Sequence, residues 1–292
     1  MTTEALIAKA RVLTEALPYI KRYSGRTVVV KYGGNAMTDD AMLRSFAGDI
    51  VLMHYVGMRP VLVHGGGPQI SALMERLDQH PTFVDGHRVT GADELDIVRM
   101  VLQKTNKELV SLINHHGDLA VGVSGEDGNL IRARKMVLPA GGDLGFVGEV
   151  ERVDPRLISS LVGSGFIPVI APMGTDAHGQ AYNINADLAA GAIASALEAT
   201  KLVYLTDIEG LYEDLGDAGS LLSRVTVSDL ERMRDAGRLS SGMIPKVSSC
   251  VEALGAGVDR AHILDGRVEH ALLLEVFTDS GVGTMVTTKE EA

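Results

Sequence analysis

Thr27-Val28-Val29-Val30-Lys31-Tyr32-Gly33-Gly34-Asn35 runs three β-branched apolar residues into a lysine and a pair of glycines. Such a run reads as a buried strand, and the lysine and glycines sit where that strand leaves its sheet. A lysine there loses hydration unless an anion meets it, and two glycines let the backbone turn and bring bare N–H groups close to that anion. Alone, the segment is equally an ordinary strand with a lysine on its rim. The same construction recurs in Pro60-Val61-Leu62-Val63-His64-Gly65-Gly66-Gly67-Pro68-Gln69-Ile70, where Pro68 suits the first turn of a helix carrying Ile70, Leu73 and Leu77 on one face. Glycines at a helix start make an anion cradle, because unpaired N–H groups and the positive end of the helix dipole converge there. Two such loops suggest the two ends of one polyphosphate.

At 292 residues the chain makes one large or two modest domains, and a hydrophobic share of 46% places it among globular rather than disordered proteins. A net charge of −11 and a pI near 5.3 argue against nucleic acid or an anionic membrane as partner, since those select basic surfaces. Anions must therefore be met locally. Cys250 is the single cysteine, and Val247 and Val251 beside it suggest a helix face with a buried structural thiol rather than a nucleophile. With no apolar run of membrane-helix length and no signal-peptide pattern at its start, the chain is expected in the cytoplasm.

Leu6, Ala10, Leu13 and Leu17 recur at helical spacing over residues 4 to 20, ahead of the first strand. That helix either packs on its own domain or seeks the same helix of another subunit, and amphipathicity does not choose. A helix from Thr38 to Tyr55 follows, capped by Thr38 or Asp39, with Leu43, Phe46, Ile50 and Met53 inward. Asp85-Gly86 reads as a hairpin turn with Arg88 just beyond, and a long helix runs from Ala92 to His115. Residues 129 to 153 look like shorter antiparallel pieces. Strands are expected over 119–123, 166–171, 201–206, 260–264 and 283–288, with helices from Asp154-Pro155, from Tyr182-Asn183-Ile184-Asn185-Ala186-Asp187 to Ala199, from Ser228 with Glu231 as a capping box, and from Gly242 to Leu254. This alternation predicts an α/β protein, an αβα sandwich around a central, mainly parallel sheet, with ligands at the carboxyl ends of the strands. The boundary between two lobes is placed near residue 190.

Four common motifs are excluded directly. A Walker A loop needs a Gly-Lys step, which the chain lacks, and Gly65 to Ile70 lacks the last glycine of a dinucleotide fingerprint. The zinc-protease and nucleophile-elbow motifs are absent as well. In their place stand Val30-Lys31-Tyr32-Gly33-Gly34-Asn35, His64-Gly65-Gly66-Gly67-Pro68, Gly86-His87-Arg88-Val89-Thr90, Asn183-Ile184-Asn185-Ala186-Asp187, Leu205-Thr206-Asp207-Ile208-Glu209-Gly210-Leu211 and Gly242-Met243-Ile244-Pro245-Lys246-Val247. In that order, over about residues 26 to 290, they resemble the motifs of the N-acetylglutamate kinases. The wider amino-acid kinase family would share only the glycine loops and some of the lysines.

The resemblance implies the amino-acid kinase fold and transfer of the γ-phosphoryl of ATP to the side-chain carboxylate of N-acetyl-L-glutamate, with Mg2+ between the ATP phosphates and no protein metal ligand assigned. By position Lys31 and Lys246 match the family's pair of transition-state lysines, and Asp187 the residue that orients both; Asp187 would otherwise serve as a helix cap. Gly66, Gly67, Arg88 and Asn183 match substrate-binding positions, Arg88 offering a two-pronged donor to the α-carboxylate. Gly33, Gly34, Gly65, Thr206, Asp207, Gly210 and Gly242 match phosphate or nucleotide positions. It further implies a segment 1–24 for oligomerisation and regulation, an amino-acid lobe 25–190 and an ATP lobe 191–292. That helix and the stretch Glu275 to Thr284 resemble the arginine-inhibited, hexameric members, in which Glu275 and Gly281 would lie at an L-arginine site and the chain would form a trimer of dimers. A kinase of the same fold acting on another carboxylate, or a sensor of amino acid and nucleotide without turnover, are the competing readings.

Overall fold

In the computed structural model, which describes residues 2–37, 39–84, 86–138, 141–214, 216–239, 242–278 and 281–288, Val28, Val29 and Val30 are fully buried in the strand Thr27–Tyr32. Val29 faces one apolar cluster and Val28 and Val30 the other, so both faces of the strand are covered. A strand buried on both sides needs apolar residues at every position rather than at alternate ones, which is why the run is unbroken. It pairs in parallel with Arg59–His64 on one side and Lys201–Thr206 on the other.

The eight-stranded sheet around it runs Arg224–Thr226, Thr284–Thr287, Arg260–Asp265, Lys201–Thr206, Thr27–Tyr32, Arg59–His64, Ile167–Ala171 and Ala120–Ser124. Its described pairings are parallel except that of Arg260–Asp265 with Thr284–Thr287. The expected mainly parallel sheet is present, and it continues without interruption across residue 190. Lys31 stands between Val63 and Tyr204 near the carboxyl ends of three strands, where ligands meet such sheets.

Ile131–Lys135, Val147–Val153, Met173–Thr175 and Ala181–Ile184 close into a small barrel. The expected antiparallel pieces over 129–153 are two of its four strands. Tyr182 to Ile184 form a strand rather than a helix start, and the helix beyond spans Ala186–Ala196, three residues short of the expected end.

Other expectations are corrected in detail. The N-terminal segment is two helices, Thr3–Glu15 and Leu17–Tyr23, because Pro18 has no N–H to continue the ladder past Ala16. Leu6, Leu13 and Leu17 remain exposed on them. The capping box of Val227–Asp235 is built by Thr226 and Asp229, not by Ser228 and Glu231. Thr226 ends the strand Arg224–Thr226, whose pairing with Thr284–Thr287 fixes where the helix can begin. In the helix Gly67–Arg76 the inward residues are Ile70, Met74 and, partly buried, Leu73 as expected, whereas Leu77 is exposed beyond its end. Asp39 caps Asp40–Tyr55 by accepting from the Ala41 and Met42 N–H groups; Thr38, the other candidate, lies outside the described residues, as does Asp85 of the hairpin between Phe83–Val84 and His87–Arg88. The long helix spans Ala92–Asn114, and Cys250 is buried.

Candidate active site

Asn185 caps the helix Ala186–Ala196 by accepting from the Asp187 and Leu188 N–H groups. Asp187 is therefore not the cap, and its carboxylate is free to point out of the first turn. It meets both lysines. Lys246, in the first turn of Ile244–Gly255, donates to Asp187 Oδ2 at 2.9 Å, and Lys31 Nζ lies 3.0 Å from Oδ1 in a charge contact off the direction of a hydrogen bond. Burial pushes the Lys31 ammonium below the usual lysine range, with Asp187 opposing and Lys246 reinforcing the shift. Burial alone would raise the Asp187 carboxyl, but the charges of Lys31 and Lys246 outweigh it and hold the group below the usual range. Two cations share one anion, so the constellation keeps a net positive charge for an arriving anion.

Gly33 makes this geometry possible, since a Cβ there would stand 2.5 Å from Lys31 Nζ. The same Cβ would lie 3.7 Å from the Gly65 Cα, so the two glycine loops touch. Lys31, Gly34, Gly65, Gly66, Gly67, Arg88, Asn183 and Asp187 line one cleft of about 260 Å³. Arg88 is only 8% exposed although it follows a surface hairpin turn. Its guanidinium donates to the Gly67 carbonyl at 3.1 Å and to Ser71 Oγ at 2.8 Å and lies over the Phe83 ring, 4.7 Å from its centroid. Held on the first turn of the Gly67–Arg76 helix, it has donors left for a carboxylate in the cleft. Asn183 is half-buried and donates to Thr90 Oγ1 at 3.3 Å.

On the other side of Lys31, Thr206 is buried at the end of its strand and donates to Asp207 Oδ1, and a Cβ on Gly34 would lie 3.6 Å from the Asp207 carboxylate. Thr206 and Asp207 thus flank the first glycine loop. Gly210 packs against Thr284, whose Oγ1 would be 2.6 Å from a Cβ, and faces away from open space. Gly242 is exposed just before the Lys246 helix. Among the described residues no cluster of three His, Cys, Asp or Glu side chains is placed to hold a metal ion, and no helix is long and apolar enough to cross a membrane.

At the opposite end of the strands lies a second cavity, of about 380 Å³, bordered by Tyr19, Tyr23, Lys201, His262, Glu275 and Gly281. Glu275 Oε1 lies 3.2 Å from Lys201 Nζ and 2.8 Å from His262 Nδ1. Burial alone would raise its carboxyl, and those two neighbours bring it below the usual range. A Cβ on Gly281 would stand 2.7 Å from Glu275 Oε2, so the two candidate residues are in contact. Asp279 and Ser280 of this stretch lie outside the described residues.

Several supporting residues escaped the sequence reading. Lys201 was visible only as a charged residue at the head of an apolar strand. Asn106 falls on the same helix stripe as Leu102, Leu109 and Ile113 and is fully buried, a polar intruder at apolar spacing. Tyr204 and Ser249, which join the Asp187 carbonyl to the Lys246 helix, had no local signal at all.

Residues 26–265 match the amino acid kinase family. The acetylglutamate kinase of Desulforamulus reducens is 51% identical over 282 residues, 97% of this chain and 98% of the relative. That of Syntrophobacter fumaroxidans is 54% identical over 291 residues, 96% of this chain and 97% of the relative. Among solved structures, N-acetylglutamate synthase from Neisseria gonorrhoeae complexed with coenzyme A and N-acetyl-glutamate superposes with a TM-score of 0.86 at 28% identity, covering 97% of this chain and 64% of that one. The chain thus spans just under two thirds of the synthase. The same synthase complexed with coenzyme A and L-arginine gives a TM-score of 0.81, covering 96% of this chain and 65% of that one. Carbamate kinase from Giardia lamblia bound to AMP-PNP shares the fold, with a TM-score of 0.67 at 17% identity over 91% of this chain and the whole of the other.

Proposed function

The chain belongs to the amino acid kinase family, and from that premise we propose that the Lys31, Asp187 and Lys246 constellation is the catalytic centre of an acetylglutamate kinase. The enzyme phosphorylates the side-chain carboxylate of N-acetyl-L-glutamate with ATP, giving N-acetyl-L-glutamyl 5-phosphate on the route to arginine. The observation that carries the assignment of the centre is the single buried carboxylate of Asp187 held between two lysines from distant parts of the chain.

The substrate carboxylate is already a nucleophile, so the obstacle is repulsion between anions. Its oxygen forms the new bond to the γ-phosphorus while the bond to the bridging oxygen breaks and ADP leaves with that electron pair. Lys31 and Lys246 offset the charge that spreads over the transferring group, and Asp187 keeps both ammonium groups in place without neutralising the pair. Gly33, Gly34 and Gly65 offer backbone N–H groups to the phosphates, and Gly66 and Gly67 do so to the reacting carboxylate. Arg88, fixed by Ser71 and the Gly67 carbonyl, takes the α-carboxylate, with Asn183 at the same end. Thr206, Asp207 and Gly242 border the nucleotide, while Gly210, buried against Thr284, shapes the turn that follows Asp207. When bound, Mg2+ neutralises charge on the ATP phosphates, keeping several waters and needing few protein ligands.

The distal cavity is read as a regulatory L-arginine site. Glu275 supplies a buried carboxylate of the kind a guanidinium pairs with, beside Gly281 and the second N-terminal helix. The L-arginine in the Neisseria synthase structure supports this reading. The exposed leucines of the first helix support assembly through that helix into a trimer of dimers. We place the reaction in the cytoplasm, in keeping with one reduced, buried cysteine.

A coupled ADP-release assay with MgATP tests the reading. Wild type is expected to turn over N-acetylglutamate in preference to glutamate, aspartate and carbamate, and Lys246→Ala to lose about 10²–10³-fold in kcat with a smaller change in KM. Turnover of another acceptor instead discards the substrate, and an unaffected variant discards the role of Lys246.

A further inference from the structure

The second glycine loop has a support that the mechanism above leaves unused. His64, the last residue of its strand, is fully buried, with Nδ1 2.8 Å from the Gly65 carbonyl oxygen and Nε2 3.2 Å from Asn106 Nδ2. Asn106 Nδ2 also donates to the Val169 carbonyl at 2.8 Å, which identifies it as the amide nitrogen. The Gly65 carbonyl oxygen only accepts, so Nδ1 carries the proton, and in the neutral ring Nε2 is left as an acceptor facing Asn106 Nδ2, whose N–H groups also reach the Val169 and Val123 carbonyls. Burial pushes the ring down to about 4, so it is neutral at working pH. Nδ1–H therefore donates to the Gly65 carbonyl. Asn106 is held in turn by the strands behind it through the Nδ2 contacts to the Val169 and Val123 carbonyls, and its Oδ1 fits only because Gly122 has no Cβ, which would stand 1.9 Å away.

We propose that His64 is a positioning residue for phosphoryl transfer, which holds the Gly65 carbonyl toward the core and thereby turns the Gly66 N–H into the cleft, toward the reacting carboxylate. The peptide is planar and trans, so its C=O and N–H point in opposite directions and anchoring one aims the other. Gly65, Gly66 and Gly67 line the cleft. Gly66 is also the N-cap of Gly67–Arg76, so its N–H adds to the positive end of that helix. The Leu102 side chain backs the loop, with Cδ2 2.8 Å from where a Gly66 Cβ would stand. The inference rests on the reaction proposed above and adds to it the source of one donor's orientation.

Two substitutions separate the two hydrogen bonds of the ring. His64→Asn keeps an N–H at the place of Nδ1, and His64→Gln keeps an acceptor near Nε2 for Asn106 while dropping the donor to Gly65. His64→Gln is expected to lower kcat by about 10- to 100-fold with KM for N-acetylglutamate within about threefold, and His64→Asn to recover to within about fivefold of wild type. Wild-type kcat in His64→Gln, or equal loss in both variants at an unchanged melting midpoint, overturns the inference. Nitrogen NMR of the wild-type His64 ring, assigned from its backbone, is expected to show the proton on Nδ1; a proton on Nε2 overturns the inference even where neither variant folds. An inactive wild type sinks the reaction itself and this role with it, whereas an active wild type matched by His64→Gln sinks the role alone.

Discussion

Asp187 serves two ammonium groups with one carboxylate, and that balance sets the pH at which the site loses charge. Lys31 is depressed by burial and partly restored by Asp187. Catalysis needs the protonated form, so kcat is held at lower pH and falls as pH rises through a lysine pKa lying below its usual range. Asp187→Asn removes the largest influence raising that pKa, so the alkaline limb of the kcat profile is expected to move to still lower pH, with kcat at neutral pH down about 10²–10³-fold. A pH–rate profile of both proteins checks this; an alkaline limb that stays in place would assign it to another group. Lys31 was legible from the sequence because a charge after three buried valines demands a partner. The partner was named only through the family resemblance, since Asp187 lies more than 150 residues on and only the folded sheet brings the two within 3.0 Å.

The helices Ala186–Ala196 and Ile244–Gly255 carry Asp187 and Lys246, and their packing holds the two groups in register. Ser249 Oγ donates to the Asp187 carbonyl at 2.8 Å and lies 2.5 Å from Tyr204 Oη. Tyr204 Oη also reaches the Asp187 carbonyl, at 3.4 Å, so the two hydroxyls and the carbonyl form one closed cluster. A Cβ on Gly191 would stand 2.0 Å from that Oγ. Gly191→Ala is expected to cost about 1–3 kcal/mol in a thermal or urea melt by forcing the helices apart, and less than that in a Ser249→Ala background. Equal costs in the two backgrounds would show that the contact does not separate the helices. The alanine-rich run announced close packing at this helix, though nothing local named its neighbour. The central strands were legible for the same reason that they are stable, as unbroken apolar runs buried on both faces. Met173–Thr175 and Ala181–Ile184 were missed because three or four residues are too short to show a period, and the Thr226 cap because sheet pairing, not cap preference, decides where that helix starts.

Across the whole molecule, one strand joins the two sites. Lys201 opens Lys201–Thr206 at the distal cavity and Thr206 closes it beside the first glycine loop, about 17–20 Å away. An effector bound at Glu275 would act on the catalytic end through that rigid strand and through the helix Ala271–Phe277, whose His270 cap holds Asp49 of Asp40–Tyr55 at 2.6 Å. Deleting residues 1–24 is expected to leave turnover without arginine within about threefold, to relieve inhibition by arginine, and to reduce the particle mass in sedimentation from a hexamer to a dimer. Unchanged mass together with unchanged inhibition would remove the N-terminal helices from both roles. The innermost strand of the sheet also has a consequence for biosynthesis. Lys201–Thr206, which covers one edge of Thr27–Tyr32, leaves the ribosome about 170 residues after it. At about 5–20 residues per second, the Val28 to Val30 edge stays unpaired for on the order of ten to thirty seconds in every nascent chain. Three valines that the finished protein buries fully are, during translation, an open apolar edge, and crowded polysomes are a place where this chain is exposed to aggregation.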